Sequence, residues 1–330
     1  MTKGFITIAV GEYYKYLAIY LVKTYRLNGG KQYPFAVVTD KPDNALSNHF
    51  DHVILEEDKL EDGYLYKLKL PEYTPFEQTI FVDADCFVVK AIDWYWDFFS
   101  DTNFGVFGRN THIDDKEAVT IFDKGIAMKE FNIQFVPRFN GGIYYYLKKP
   151  ESKKIFDDAS AFVKSYDYFG MPRFTNIKTG FQKMGDEPLF ALAMAKNQIK
   201  AQDCPASNGM WNINGSKNMS INLLKRKCSY QKYGGLVHPS IVHFGTDNTK
   251  RFHYKKEVLR LQFLNKKNIL WYQDIILGLY KFSYITKVQI ARMLFFRFFD
   301  FKDVTPTSDK SLNKIRRGII KLKKALKITK

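Results

Sequence analysis

The stretch Thr79-Ile80-Phe81-Val82-Asp83-Ala84-Asp85-Cys86-Phe87-Val88-Val89 decides how the chain is read. Two carboxylates stand inside an otherwise apolar, β-branched and aromatic run, where a strand would normally end. Side chains in extended backbone alternate faces, so Asp83 and Asp85 are expected on one face of one strand. Carboxylates held that close repel unless something cationic lies between them. A divalent metal meets the need, because hard cations take oxygen ligands and also bind diphosphates. The plain alternative is a strand end with two solvated aspartates. The apolar walls on both sides, Ile80-Phe81-Val82 and Phe87-Val88-Val89, weigh against it.

Upstream, strand and helix patterns alternate. Phe5 to Val10 is an apolar strand broken at Gly11, and Glu12 to Arg26 an aromatic-rich helix ending before Asn28-Gly29-Gly30. Phe35 to Thr39 and His52 to Leu55 read as further strands, and Leu65 to Leu70 as a helical turn before Pro71. Such alternation predicts an α/β fold with a mostly parallel, doubly wound sheet. Ligands in such sheets bind beyond the carboxyl ends of strands, where Gly11 to Tyr14 would meet Asp83 and Asp85. Neither Gly-x-Gly-x-x-Gly nor Gly-x-x-x-x-Gly-Lys follows the first strand, which counts against a dinucleotide or P-loop site.

The chain has 330 residues, enough for a sizeable core, with 45% apolar and 16% aromatic content. Its net charge of +17 favours an anionic partner such as nucleic acid, anionic lipid or a phosphorylated substrate. Cys86, Cys204 and Cys228 lack any Cys-x-x-Cys spacing, so neither a zinc cage nor a disulfide framework is expected. Met1 to Val10 carries no leader pattern, and no run of about 18 uncharged apolar residues suggests a spanning helix. An intracellular protein is expected.

Three further signals lie downstream. Asn140-Gly141-Gly142 forms a loop entering a strand, where paired glycines permit close backbone approach and Asn140 can donate and accept. Gly185-Asp186-Glu187 opens an apolar helix running to about Lys196; its acids read either as functional carboxylates or as an N-cap and a first-turn charge. Ile241-Val242-His243-Phe244-Gly245 delivers a histidine at a strand end, a metal-ligand candidate if it faces the carboxylate pair.

In this order, over about residues 5–255, these motifs resemble the GT-A glycosyltransferases, specifically the retaining branch with glycogenin and the bacterial lipopolysaccharide galactosyltransferases. The resemblance implies a GT-A type, mixed and mostly parallel sheet flanked by helices. It places the donor's uracil on Ala9, Val10 and Tyr14, and gives Lys67, ahead of the metal strand, a contact with the donor. Asp83 and Asp85, with Ala84 between them, match the family's Asp-X-Asp, Asn140-Gly141-Gly142 its Asn-X-Gly loop, and His243 its late metal ligand. Asp83, Asp85 and His243 would then hold the metal, and an imidazole ligand tilts the choice toward Mn²⁺ over Mg²⁺. The late motif departs from the family pattern: His243 is followed by Gly245 and Lys250 without the usual Pro-Trp. Asp186-Glu187 also replaces an amide-containing triplet near the reacting carbon, leaving retention, which the branch implies, and inversion both open. Asp186, Glu187 and Asn140 are the catalytic candidates, with Asp186 favoured.

The implied activity is metal-dependent transfer of a hexose from a nucleotide sugar, a UDP-sugar by resemblance, to a glycan acceptor. The expected catalytic domain spans 1–255, with a nucleotide-sugar half over 1–90 and an acceptor half over 91–255. A C-terminal helical layer is expected over 256–302, a linker over 303–310 and a basic amphipathic tail over 311–330. That tail spaces Leu312, Ile315, Ile319, Leu322 and Leu326 three or four apart and carries eight cations without an acid. It reads as a membrane-surface segment, which points to a lipid-linked saccharide acceptor at the inner face of the membrane. Two alternatives are a transferase acting on modified nucleic-acid bases and a binder of sugar nucleotides without turnover. Intact Asp83, Asp85 and His243 argue against the binder.

Overall fold

The β-branched and aromatic runs of the first third become the parallel strands β1 (Lys3–Ile8), β2 (Phe35–Thr39), β3 (His52–Leu55) and β4 (Gln78–Val82). The computed structural model describes residues 1–264, other than Glu61 and the segments 114–120, 176–179 and 233–234. Further along lie β5 (Cys86–Val88), β6 (Phe104–Gly105), β7 (Phe107–His112), β8 (Phe135–Phe139) and β9 (Ile143–Leu147). Among the described residues the central sheet has the order β3-β2-β1-β4-β9-β6. β3, β2, β1 and β4 pair in parallel, and β9 runs antiparallel to both β4 and β6. This is the mixed, mostly parallel sheet that the alternating pattern implies.

Each face of the sheet is covered because its strands present large apolar side chains to both sides. Phe5 and Phe35 point to one face, where Tyr25 of helix α1 (Glu12–Asn28) packs at 4.9 and 5.3 Å between ring centroids. Phe81, Phe104 and Tyr144 point to the other, against Phe190 of the helix Asp186–Lys196 and Phe156 of the helix Pro150–Phe162. From Pro188 to Ala195 the first of these helices is buried on every side, as a helix without a polar face must be. Each ring removed from water contributes about 1.5–3 kcal/mol.

Strand order reverses between β1 and β4, so a crevice opens beyond their carboxyl ends. The loop after β1, from Ala9 to Gly11, and Asp83 after β4 therefore meet at its rim. One expectation is corrected there. The 79–89 run is not a single strand: it breaks at Asp83, turns through Ala84 and Asp85 with Cys86 N–H donating to Asp83 O at 3.1 Å, and restarts as β5. β5 leaves the central sheet and pairs antiparallel with Ile241–His243, which in turn pairs in parallel with Met210–Asn212. A strand that changes sheets must bend, and the polar pair marks the bend.

An antiparallel meander, Lys217–Asn222, Lys227–Lys232 and Gly235–Val237, packs beside this small sheet. Asn28, fully buried at the end of α1, ties the pieces by donating to Val88 O at 3.2 Å and Leu223 O at 3.1 Å. The helix Phe252–Leu264 ends the described chain. Beyond residue 264 the expected helical layer, the linker 303–310 and the basic tail 311–330 lie outside the described residues. Among the described residues no helix is long and apolar enough to cross a membrane.

Replacing Asn28 by alanine leaves two buried carbonyls short of a donor, an expected loss of about 2–4 kcal/mol. Urea unfolding of the variant should show a lower midpoint at unchanged slope. An unaltered midpoint would mean that the two sheets are not joined through this side chain.

Candidate active site

The turn after β4 does what strand alternation was expected to do. It carries both Asp83 and Asp85 to His243, because the pairing of β5 with Ile241–His243 sets Cys86 directly opposite that histidine. His243 Nε2 thus lies 3.0 Å from Asp85 Oδ1 and 3.6 Å from Asp83 Oδ2. On the other side, the β4–β9 register sets Val82 against Ile143, so Asp83 N–H donates to Gly142 O at 3.0 Å. That contact delivers Asn140-Gly141-Gly142 to the carboxylates.

Lys67 is the cation among these acids. It sits on a turn of 3₁₀ helix, Gly63–Lys69, and its ammonium donates to Asp83 Oδ2 at 3.0 Å, Asp186 Oδ2 at 3.1 Å and Gly141 O at 2.9 Å. All three of its protons are used. The Phe81 and Tyr144 ring centroids lie 5.2 and 5.8 Å from the same nitrogen, adding cation–π attraction. Burial opposes the charge on Lys67, but Asp186 and Asp83 hold its pKa well above the ordinary value. Burial pushes Asp83 up even with Lys67 acting the other way. For Asp85 burial is outweighed by His243, and the carboxyl stays below its usual range.

Asp186 and Glu187 do not cap their helix; the N-cap is Gly185, with no side-chain cap. Asp186 is turned inward and accepts from Tyr144 OH at 2.5 Å as well as from Lys67, both on Oδ2. Glu187 is more accessible. Its Oε1 accepts from Gly141 N–H at 2.7 Å and Asn140 Nδ2 at 3.2 Å, and its Oε2 has no partner among the described residues. Burial, with the charge of Asp186, pushes Glu187 up to about 7. The two glycines serve this packing. A Cβ on Gly141 would stand 2.6 Å from Asp186 Oδ2, and one on Gly142 would stand 2.7 Å from His243 Nδ1. The close approach expected of them is therefore made to protein side chains.

These residues fit a divalent cation. Asn140 Nδ2 donates to Glu187, so its Oδ1 is the acceptor for Gly142 N–H at 3.2 Å and for His243 Nδ1–H. The imidazole is thereby fixed with Nε2 toward the acids, the orientation a ligating histidine receives from an outer hydrogen bond. Asp85 Oδ1 is buried and accepts no hydrogen bond although Nε2 is 3.0 Å away. Adjacent ligands of an octahedral ion with bonds of about 2.1 Å stand about 3 Å apart. Burial lowers and Asp85 raises the pKa of His243, with a net rise, so the position facing the acids attracts positive charge. Cys86 also brings its sulfur within 4.8 Å of Asp85 and His243 ligand atoms, a proximity that Cys-x-x-Cys counting could not find. Burial pushes that thiol well up, so it remains protonated and ranks below Asp83 as a partner for a hard cation.

The remaining candidates divide. Tyr14 OH lies 3.3 Å from Thr246 Oγ1, which donates to Asp85 Oδ2 at 3.3 Å, so the first turn of α1 reaches the acids through a threonine. Tyr13 OH meets Thr249 Oγ1 at 2.5 Å in the same loop, which Gly245 enters with φ +69°. Ala9 is buried and donates to Val38 O at 2.7 Å, placing Val10 and Gly11 at the crevice rim. Lys250 stays outside the cluster, exposed and 3.4 Å from Asp247. Tyr144 and Thr246 were missed. Tyr144 sits two residues beyond the glycine pair in an apolar run, and Thr246 follows Gly245 in a loop, positions without a distinguishing spacing.

No protein-family model matches the chain, and no curated protein matches it. Among solved structures it is similar to that of the galactosyltransferase LgtC in complex with donor and acceptor sugar analogues. The identity is 14% and the TM-score 0.45, with 73% of this chain and 87% of that chain covered. An active-site mutant of LgtC gives the same identity, coverage and TM-score.

Proposed function

We propose that the protein is a metal-dependent glycosyltransferase that moves a sugar from a nucleoside-diphosphate sugar, a UDP-sugar by motif resemblance, to a glycan acceptor. The convergence of Asp83, Asp85 and His243 beside Glu187 carries this reading. Asp83, Asp85 and His243 would hold a divalent cation, Mn²⁺ before Mg²⁺, which supplies Lewis-acid stabilisation to the departing diphosphate. Ala9, Val10 and Tyr14 line the crevice rim where the nucleoside would lie, with Ala84 in the turn between the acids. Lys67 keeps fixed positive charge beside Asp83, where negative charge grows as the bond to the sugar breaks. Lys250, four residues beyond Thr246, is assigned a phosphate contact that requires it to leave Asp247.

Glu187 is the better placed of the two helix carboxylates. Asp186 is buried with both its hydrogen bonds and its ion pair directed inward, whereas Glu187 is only partly buried. A carboxyl held near 7 suits either proton removal from an acceptor hydroxyl or stabilisation of a cationic sugar. Asn140 positions both Glu187 and His243. The basic tail 311–330 is assigned to an anionic membrane surface, which makes a lipid-linked saccharide the acceptor.

Asp85→Asn should weaken Mn²⁺ binding, read by electron paramagnetic resonance, and lower donor hydrolysis about 10²–10³-fold without unfolding the chain. Activity that survives exhaustive chelation of the wild type would overturn the metal assignment.

Glu187→Gln should lower kcat about 10²–10⁴-fold while nucleoside-diphosphate affinity stays within about twofold. Because the ionised form works, the wild-type rate should rise with pH toward a plateau above about 7, and the variant should lose that rise. Asp186→Asn should instead cost about 3 kcal/mol of stability, since it leaves Lys67 short of a counter-charge. The opposite pattern would return the chemistry to Asp186.

Serine at Ile315, Ile319 and Leu322 should weaken co-sedimentation with anionic liposomes at unchanged net charge. Liposome binding that is intact in this variant would sink the membrane assignment.

A further inference from the structure

Two exposed aromatic rings flank the carboxylate cluster, and the donor reading gives neither of them a role. Tyr64 and Phe174 keep 40% and 52% of their surface exposed, with ring centroids 6.4 Å apart and planes inclined by 47°. Exposed rings grouped in this way mark a contact surface more often than isolated ones do.

Both rings rest on fixed supports. Tyr64 belongs to the Gly63–Lys69 turn that carries Lys67. Buried Asp62 accepts from Tyr64 N–H at 3.2 Å and from Met184 N–H, joining that turn to the strand Gln182–Met184. Phe174 lies in the strand Arg173–Thr175, paired antiparallel with Gln182–Met184. Its ring packs on Gly185, where an added Cβ would stand 2.8 Å from Phe174 Cε2. Gly185 directly precedes Asp186 and Glu187, so this ring covers the backbone that presents them. The Tyr64 hydroxyl is pushed up by burial first and then by Tyr14, with Lys67, Asp186 and Asp83 as its other charged neighbours. The turn therefore sets the exposed Tyr64 ring three residues, one turn of 3₁₀ helix, ahead of Lys67.

We propose that Tyr64 and Phe174 form the seat of the acceptor, a pyranose stacked by its axial C–H face with its hydroxyls toward Glu187 and the Tyr64 hydroxyl. The inference rests on the glycosyltransferase reading and adds the acceptor's place to it. A pyranose has one apolar face and a rim of hydroxyls, and the seat pairs two rings with carboxylates and Lys183, whose Nζ lies 5.7 Å from the Tyr64 ring centroid. A lipid chain would leave those polar groups without partners. A nucleic-acid strand could stack on the same rings, but it would bring phosphates beside Glu187, the carboxylate of the cluster paired neither with Lys67 nor with the proposed cation.

The test is saturation-transfer NMR on the full chain with methyl pyranosides of the gluco, galacto and manno series, and separately with a short oligothymidylate. At least one pyranoside should receive saturation at its axial ring protons. Phe174→Ala and Phe174→Leu should weaken its binding about two- to tenfold, the loss of one aromatic contact, while Phe174→Trp retains it. Leucine keeps apolar bulk without a ring, so it separates stacking from packing, and melting midpoints report whether each variant is folded. Three results would overturn the seat: no pyranoside binding by the wild type, wild-type binding by Phe174→Leu, or an oligothymidylate signal lost from the variants in place of the sugar. Donor hydrolysis by the wild type is followed in parallel. Sugar binding lost in Phe174→Leu without any hydrolysis upholds the seat and removes the transferase reading. Hydrolysis with sugar binding that ignores Phe174 does the reverse.

Discussion

A single ammonium group holds this site together. Lys67 Nζ lies between Asp83 and Asp186, 3.0 and 3.1 Å from their carboxylates, and is itself almost wholly buried. Two buried acids at that spacing repel strongly, and burying a cation alone is equally unfavourable. Together they are tolerable because each of the lysine's protons has an acceptor and two ring faces lie nearby. Removing any one member leaves an uncompensated charge in the interior. The three come from a 3₁₀ turn, the end of a strand and the start of a helix, so this one interaction ties three distant segments of chain.

Geometry follows from that tie. With Asp83 fixed by Lys67 and by Gly142 O, the Asn140-Gly141-Gly142 loop has one position available, and only glycine leaves room for Asp186 and His243 beside it. Asn140 then orients the imidazole and a glutamate with the two ends of one amide. An amide can do this because it carries a donor and an acceptor; a carboxylate would repel Glu187 and a hydrocarbon would orient neither. The orientation of His243 toward the acids is thus set from a loop more than 100 residues earlier in the chain.

Much of this was legible in the residues, for reasons that differ from place to place. β2 and β3 coincide with their expected ranges because both are built around short β-branched apolar runs that stop at charged residues, Asp40 and Glu56. The helix Asp186–Lys196 was legible from its length and its acidic first turn. The Asp83–Asp85 run was legible as two acids brought to one place but not as a turn. Alternation within one strand and a tight turn between two strands both bring residues two apart together, and nothing local separates them. The strand partner decides, and it lies near residue 243. Short strands such as 217–222 and 227–232 are mostly polar and half exposed, so hydrophobic period carries little signal there. The Lys67–Asp186 pairing spans 119 residues, a separation at which a single sequence offers no register.

The division of labour between the two adjacent acids illustrates what sequence spacing leaves open. Neighbouring residues at a helix start point about 100° apart, so Asp186 and Glu187 must face different surroundings. Asp186 faces the interior, where Tyr144 and Lys67 share its Oδ2; Glu187 is only partly buried and is held through Oε1. A carboxylate that neutralises a buried lysine is committed to holding that cation in place. One that is anchored by a backbone N–H through a single oxygen keeps its orientation while the other oxygen reacts. Reaction and stability are thus assigned to separate side chains one residue apart, and the helix turn is what separates them.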